Sequence, residues 1–173
     1  MRPQRWKPSV TVAAIIERDG RYLMIEEMTR DGLRLNNPAG GLEPGESVLE
    51  GVVREALEET ARHFQPEALL GVYMARNPDT AAGPGVTYLR FAFCGSAGEP
   101  EPGRPLDDPV VRTLWMTADE IAAASDRLRG PLVLQCIADH QAGRRLPLDV
   151  LYTHPSVANP LPGTATSDPP DPP

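Results

Sequence analysis

Gly40, Glu46, Arg54, Glu55, Glu58 and Glu59 follow the spacing G-x5-E-x7-R-E-x2-E-E, and these residue types at these distances can do chemistry. With average residue usage, six such identities coincide by accident in a chain of this size on the order of once in a hundred thousand. Glu55, Glu58 and Glu59 stand at i, i+3 and i+4, so a helix there projects three carboxylates from one face. Each like-charge neighbour costs roughly 0.2–0.5 kcal/mol, a penalty that a divalent cation reverses. Mg²⁺ suits the set, since it is a hard ion that takes oxygen ligands and shares its shell with substrate phosphates; Mn²⁺ is the alternative. Gly40 and Gly41 precede the helix, where a missing side chain lets backbone atoms approach a metal or a phosphate closely. Arg54 can hold a carboxylate bidentately and is expected to brace this loop through Glu46, with Glu50 as a competing partner one turn before it. Alone, an acidic run of this kind is a solvated helix face. The glycines and Arg54 in register with it point to a metal-assisted site instead.

These residues need a helix behind a loop. Ser47 and Glu50 form a capping-box pattern that starts the helix, Leu49, Val52, Val53, Ala56 and Thr60 supply a buried stripe, and Pro66 limits its run. Upstream, residues 10–16 and 22–25 flank Asp19-Gly20, which suits a tight turn between antiparallel strands. Residues 28–46 read as a long irregular loop, rich in Gly, Asn and Pro, and long ordered loops tend to be functional. Residues 69–75, 86–93 and 110–116 read as strands, the second placing Tyr88, Arg90 and Ala92 on one face. Thr117 and Glu120 repeat the capping box ahead of a helix over residues 121–128, and Pro131 opens a last helix that Gly143 closes. One domain over residues 1–154 is expected. Residues 155–173, with almost nothing to bury, are expected to form a disordered tail.

Composition narrows the function. The net charge of −7 argues against nucleic-acid binding, which needs clustered Lys and Arg, and it means that an anionic substrate requires a cationic intermediary. The two cysteines, Cys94 and Cys136, lack CxxC spacing, so a reduced cytoplasm is the expected location. No apolar stretch approaches membrane length. Residues 10–16 follow a basic start but run into Glu17-Arg18-Asp19-Gly20 without a small-residue cleavage site, which reads as a strand entering a turn and not as a signal segment. His63, His140 and His154 share no ligand spacing.

The signature resembles the Nudix box, G-x5-E-x7-R-E-U-x-E-E-x-G-U with U a bulky aliphatic residue. That resemblance implies an α/β/α sandwich around a central mixed sheet and the hydrolysis of a nucleoside diphosphate linked to another group. It assigns Glu55, Glu58 and Glu59 to the metals, with Glu58 or a carboxylate from a later loop, here Asp107 or Asp108, as the base. Ala61 and Arg62 replace the last two box residues. Alanine suits a positive-φ helix end poorly, so the helix is expected to continue toward His63 or Phe64. Further segments are similar to the NudJ-type phosphatases, among them residues 7–13, 36–40, 89–91, 128–133 and 143–148. This implies release of phosphate from pyrimidine-methyl or thiamine pyrophosphates and nucleoside di- and triphosphates, by a monomer or a homodimer. Arg90, with Tyr88 beside it, is the candidate for binding phosphate while an aromatic ring stacks a heterocycle; Tyr73 and Arg76 are further candidates. The competing readings are a Nudix pyrophosphohydrolase of ADP-ribose, dinucleoside polyphosphates or oxidised nucleotides, and a non-catalytic nucleotide sensor, against which the intact glutamates argue.

Overall fold

The computed structural model describes residues 6–78 and 84–158. Asp19 and Gly20 adopt φ of 52° and 76°, the double positive-φ geometry of a tight hairpin. They join β1 (Ser9–Arg18) to β2 (Arg21–Thr29), which pair antiparallel at Glu17 with Tyr22. Residues 28–46, expected to be irregular, contain two strands. β3 (Gly32–Asn36) pairs antiparallel with β2, and β4 (Ala39–Gly41) lies against the start of β1. Both are too short for a periodic signal, and their pairing partners, not their own sequence, hold them extended.

α1 (Val48–Thr60) starts on the predicted capping box. β5 (Phe64–Arg76), β6 (Thr87–Ala97) and β7 (Val110–Met116) follow; β5 pairs antiparallel with β6, β7 antiparallel with β2, and β6 runs parallel to β1. The result is a mixed sheet in the order β3-β2-β1-β6-β5, with β4 and β7 attached to β1 and β2. α2 (Ala118–Ala123) is shorter than the expected helix and hands over to a 3-10 turn at Ser125–Arg127, before α3 (Leu132–Gln141).

Alternation along β1 sends its side chains into two cores. Val12, Ala14 and Ile16 pack with Val52 and Ala56 of α1, while Ala13 and Ile15 pack with Ile121 of α2 and Val133, Cys136 and Ile137 of α3. Helices therefore cover both faces, which makes the fold the expected α/β/α sandwich.

The expected extension of α1 does not occur. Ala61 turns left-handed at φ 54° and donates its N–H to Leu57 O at 2.9 Å. Tertiary contacts hold that unfavourable turn: Ala61 O accepts from Glu101 N at 2.7 Å, and the buried Arg62 lies over the Trp115 ring and donates to Gly98 O. Of the expected tail, residues 159–173 lie outside the described residues, and Pro155–Val157 form an exposed 3-10 turn.

Candidate active site

The capping box settles which carboxylate Arg54 takes. Glu50 Oε2 accepts from Ser47 N at 2.7 Å, so the competing partner is occupied. Arg54 instead grips Glu46 with two hydrogen bonds, Nε to Oε2 at 3.0 Å and Nη2 to Oε1 at 2.8 Å. Its Nη2 also donates to Gly41 O at 2.9 Å, and Nη1 reaches Glu55 Oε1 and Glu58 Oε2, both at 2.9 Å. One guanidinium thus ties the glycine loop to the acidic face of α1. Hydrogen bonding to Arg54 holds the Glu46 carboxyl below its usual range, and Glu46 in turn raises the proton affinity of Arg54.

Glu55 and Glu59 lie deeper. A Cβ on Gly40 would stand 2.2 Å from the Glu55 carboxylate, so only glycine leaves room for this approach. Burial pushes the Glu55 carboxyl up, against the opposing pull of Arg54. Glu59 Oε2 accepts from Ala39 N at 2.7 Å. Burial, and then the charges of Glu55, Glu27 and Asp107, raise the Glu59 carboxyl to about 8 in spite of that bond. A carboxylate so disposed calls for a cation, and among the described residues no ion pair supplies one.

Among the described residues, no three His, Cys, Asp or Glu side chains already close on one point as a metal cage, and Arg54 pairs with both Glu55 and Glu58. The donor chemistry nevertheless fits a hard divalent cation: three helix carboxylates, a glycine cradle beside them and further acidic charge from Glu27 and Asp107. Asp107 N donates to Glu58 O at 2.9 Å and sets this loop against α1; Asp107 and Asp108 are both exposed.

A cavity of about 260 Å³ opens beside Ala39, Gly40 and Gly41, and both Arg90 and Tyr88 line it. Arg90 is the register partner of Thr11 on β1 and of Tyr73 on β5. Its Nε and Nη1 are buried without a hydrogen-bond partner. Tyr73 does not join the cavity: it is buried in the core and donates its hydroxyl to Asp139 of α3 at 2.8 Å. Nor does Arg76, which is exposed between the lining residues Ala75 and Asn77.

Sequence reasoning missed Glu27, Asn36, Thr11 and Arg129, which all line the cavity. The available signal was a pair of carboxylates ending an apolar strand. A register shift between Glu26 and Glu27 allows both to be buried; Arg112 (2.7 Å) and Arg127 neutralise Glu26, while Arg129 Nε stands 3.6 Å from Glu27.

Comparison with known proteins agrees with this geometry. The NUDIX domain model matches residues 5–135. Phosphatase NudJ of Escherichia coli strain K12 is 35% identical over 146 residues, covering 84% of this chain and 92% of that protein. A NUDIX hydrolase structure from Nitrosomonas europaea superposes with a TM-score of 0.79 at 48% identity, covering 86% of this chain and 99% of the other. A bifunctional NMN adenylyltransferase/ADP ribose pyrophosphatase from Francisella tularensis, complexed with AMP and a Mn ion, shares the fold at 19% identity and a TM-score of 0.57, over 79% of this chain and 42% of its own. A glutamate helix braced by one arginine against a glycine loop, in a match that runs through most of the chain, makes this protein a member of the Nudix hydrolase family, a hydrolase of phosphoanhydrides.

Proposed function

We propose that the protein is a Mg²⁺-dependent phosphatase that releases the terminal phosphate from pyrimidine-methyl or thiamine pyrophosphates and from nucleoside di- and triphosphates. The observation that carries this reading is the cavity lined by Gly40, which packs against the Glu55 carboxylate of the helix, by Glu27 and by Arg90: acidic groups for a cation at one side, a buried guanidinium with Nε and Nη1 unpartnered at the other. The likeness to Phosphatase NudJ supports the bond assigned.

When bound, Mg²⁺, or Mn²⁺ in its place, would neutralise phosphate oxygens and make the attacking water more acidic. Glu55, Glu58 and Glu59 would hold it, and the backbone at Gly40 would lie close to it. Arg54 sets the spacing of the first two carboxylates and of the Gly41 carbonyl. Glu58, whose side chain is more exposed than that of Glu55 and whose backbone carbonyl accepts from the Asp107 loop, would take the proton from water. Arg90 would grip phosphate oxygens while Tyr88 stacks the organic group, which orients the terminal phosphorus toward the water. The catalytic domain would span residues 1–154, as a monomer or homodimer in the cytoplasm; among the described residues no helix is long and apolar enough to cross a membrane.

The test is product identification. With Mg²⁺ and no added pyrophosphatase, a nucleoside triphosphate should yield a diphosphate and orthophosphate, and thiamine pyrophosphate its monophosphate. Pyrophosphate and a nucleoside monophosphate as first products would overturn the assigned bond and leave the family unaffected.

A further inference from the structure

Side chains that line the cavity carry buried polar atoms that phosphate binding leaves unused. Thr11 Oγ1, Asn36 Oδ1 and Arg90 Nε and Nη1 are all buried without a hydrogen-bond partner, on side chains that line it. An unpaired buried donor or acceptor costs about 1–3 kcal/mol, so their gathering in one cavity marks groups kept for a ligand. Their polarities differ. Arg90 offers donors alone, which phosphate oxygens satisfy, while the Thr11 hydroxyl can donate or accept. Asn36 offers the opposite of Arg90. Its Nδ2 faces Glu27 Oε1 at 3.4 Å, and an ionised carboxylate only accepts, so the amide is turned with Oδ1 left over. An ionised phosphate has no proton to give that oxygen.

We propose that Asn36, oriented by Glu27, is a specificity-determining residue that accepts a hydrogen bond from a donor on the substrate's organic group, either an amino group or a hydroxyl. This rests on the reading of the cavity as the substrate site. Asn36 ends β3 opposite Ile25, is only 5% exposed and precedes the Asn37-Pro38 turn, so the oxygen is held by the sheet and not by a mobile loop. Glu27 stands beside Arg129, which steadies the carboxylate that orients the amide. A site built to hydrogen-bond its ligand discriminates strongly against an analogue that leaves the buried group unpaired.

Binding and turnover should be measured separately on the full chain. Two matched pairs serve as probes: 4-aminopyrimidinylmethyl phosphate with its desamino counterpart, and the β,γ-imido analogue of ATP with its 2′,3′-dideoxy counterpart. The first pair reports an amino donor and the second a hydroxyl. By calorimetry with Mg²⁺, the wild type should bind the donor-bearing member of at least one pair about tenfold tighter. Asn36→Leu should bring that ratio to within about twofold. Glu27→Gln supplies a second lever that spares β3: its amide can donate to Oδ1 and release Asn36 to turn over, so the ratio should shrink or invert. Equal wild-type affinities within both pairs, no measurable binding of any probe, or a preference that survives in both variants would overturn the proposal. A preference that depends on Asn36, in a protein that releases no phosphate from the parent pyrophosphates, would sink the proposed activity and leave the binding role of Asn36 standing.

Discussion

Arg54 and Glu59 represent two ways of burying charge. Arg54 has more anionic partners than a single guanidinium neutralises, and its loss would leave Glu46, Glu55 and Glu58 facing one another. Breaking one side of such a partly buried network costs roughly 2–4 kcal/mol. Arg54→Ala should therefore lower the melting temperature and the turnover together; an unchanged melting point would reject the bracing role. Glu59 is the reverse case, a carboxylate that is mostly buried and makes no ion pair among the described residues. Its folded-state value of about 8 lies above the ordinary 4.5, so the folded chain holds this proton more tightly than the unfolded one. That contribution to stability is complete below about 4.5 and is lost as pH rises through about 8. The melting temperature of the metal-free protein should fall across this window, and Mg²⁺ should raise it more at pH 8 than at pH 5. In Glu59→Gln both effects should shrink, with turnover at least about a hundredfold lower in a folded protein, because a charged ligand is gone. Near-normal turnover at saturating Mg²⁺ would exclude Glu59 as an essential ligand.

At the scale of elements, α1 is defined at its two ends by different physics. Its start is local: Ser47 Oγ accepts from Glu50 N at 3.1 Å while Glu50 Oε2 accepts from Ser47 N at 2.7 Å. Ser47→Ala should cost about 1 kcal/mol in denaturant unfolding. It should also release Glu50 to compete for Arg54, so activity should fall by more than the stability loss alone explains. A variant equal to wild type in both measurements would show that the cap matters to neither. The far end of α1 is not local. Ala61 holds a left-handed turn because Glu101 N donates to its carbonyl and the next residue, Arg62, is held over the Trp115 ring, and no residue between Thr60 and Phe64 announces that stop. β3 and β4 depend in the same way on β2 and β1, which is why a stretch rich in turn residues is part of the sheet.

For the whole molecule, an acidic chain that acts on anions needs its cations concentrated at one place, and the fold provides this by setting Arg90 and Arg129 around the cavity beside the carboxylate helix. Deleting residues 155–173 should leave melting temperature, oligomeric state and turnover unchanged, since the segment has too little apolar side chain to offset its ordering entropy; a lost fold or altered oligomer on size-exclusion chromatography would show that it docks. What the amino-acid sequence determined by itself was whatever short-range physics controls. The Asp19-Gly20 hairpin, the capped start of α1, the single face shared by Glu55, Glu58 and Glu59, and the extent of β7 all follow from residues within a few positions of one another. Tertiary structure alone decided that Tyr73 turns into the core against Asp139, and that Glu27, Asn36 and Thr11 meet Arg90 around one cavity. Those outcomes depend on the parallel pairing of β1 with β6 and on the bulge in β2. Burial and strand register join residues far apart in the chain, and no local pattern of residue types records which of them will meet.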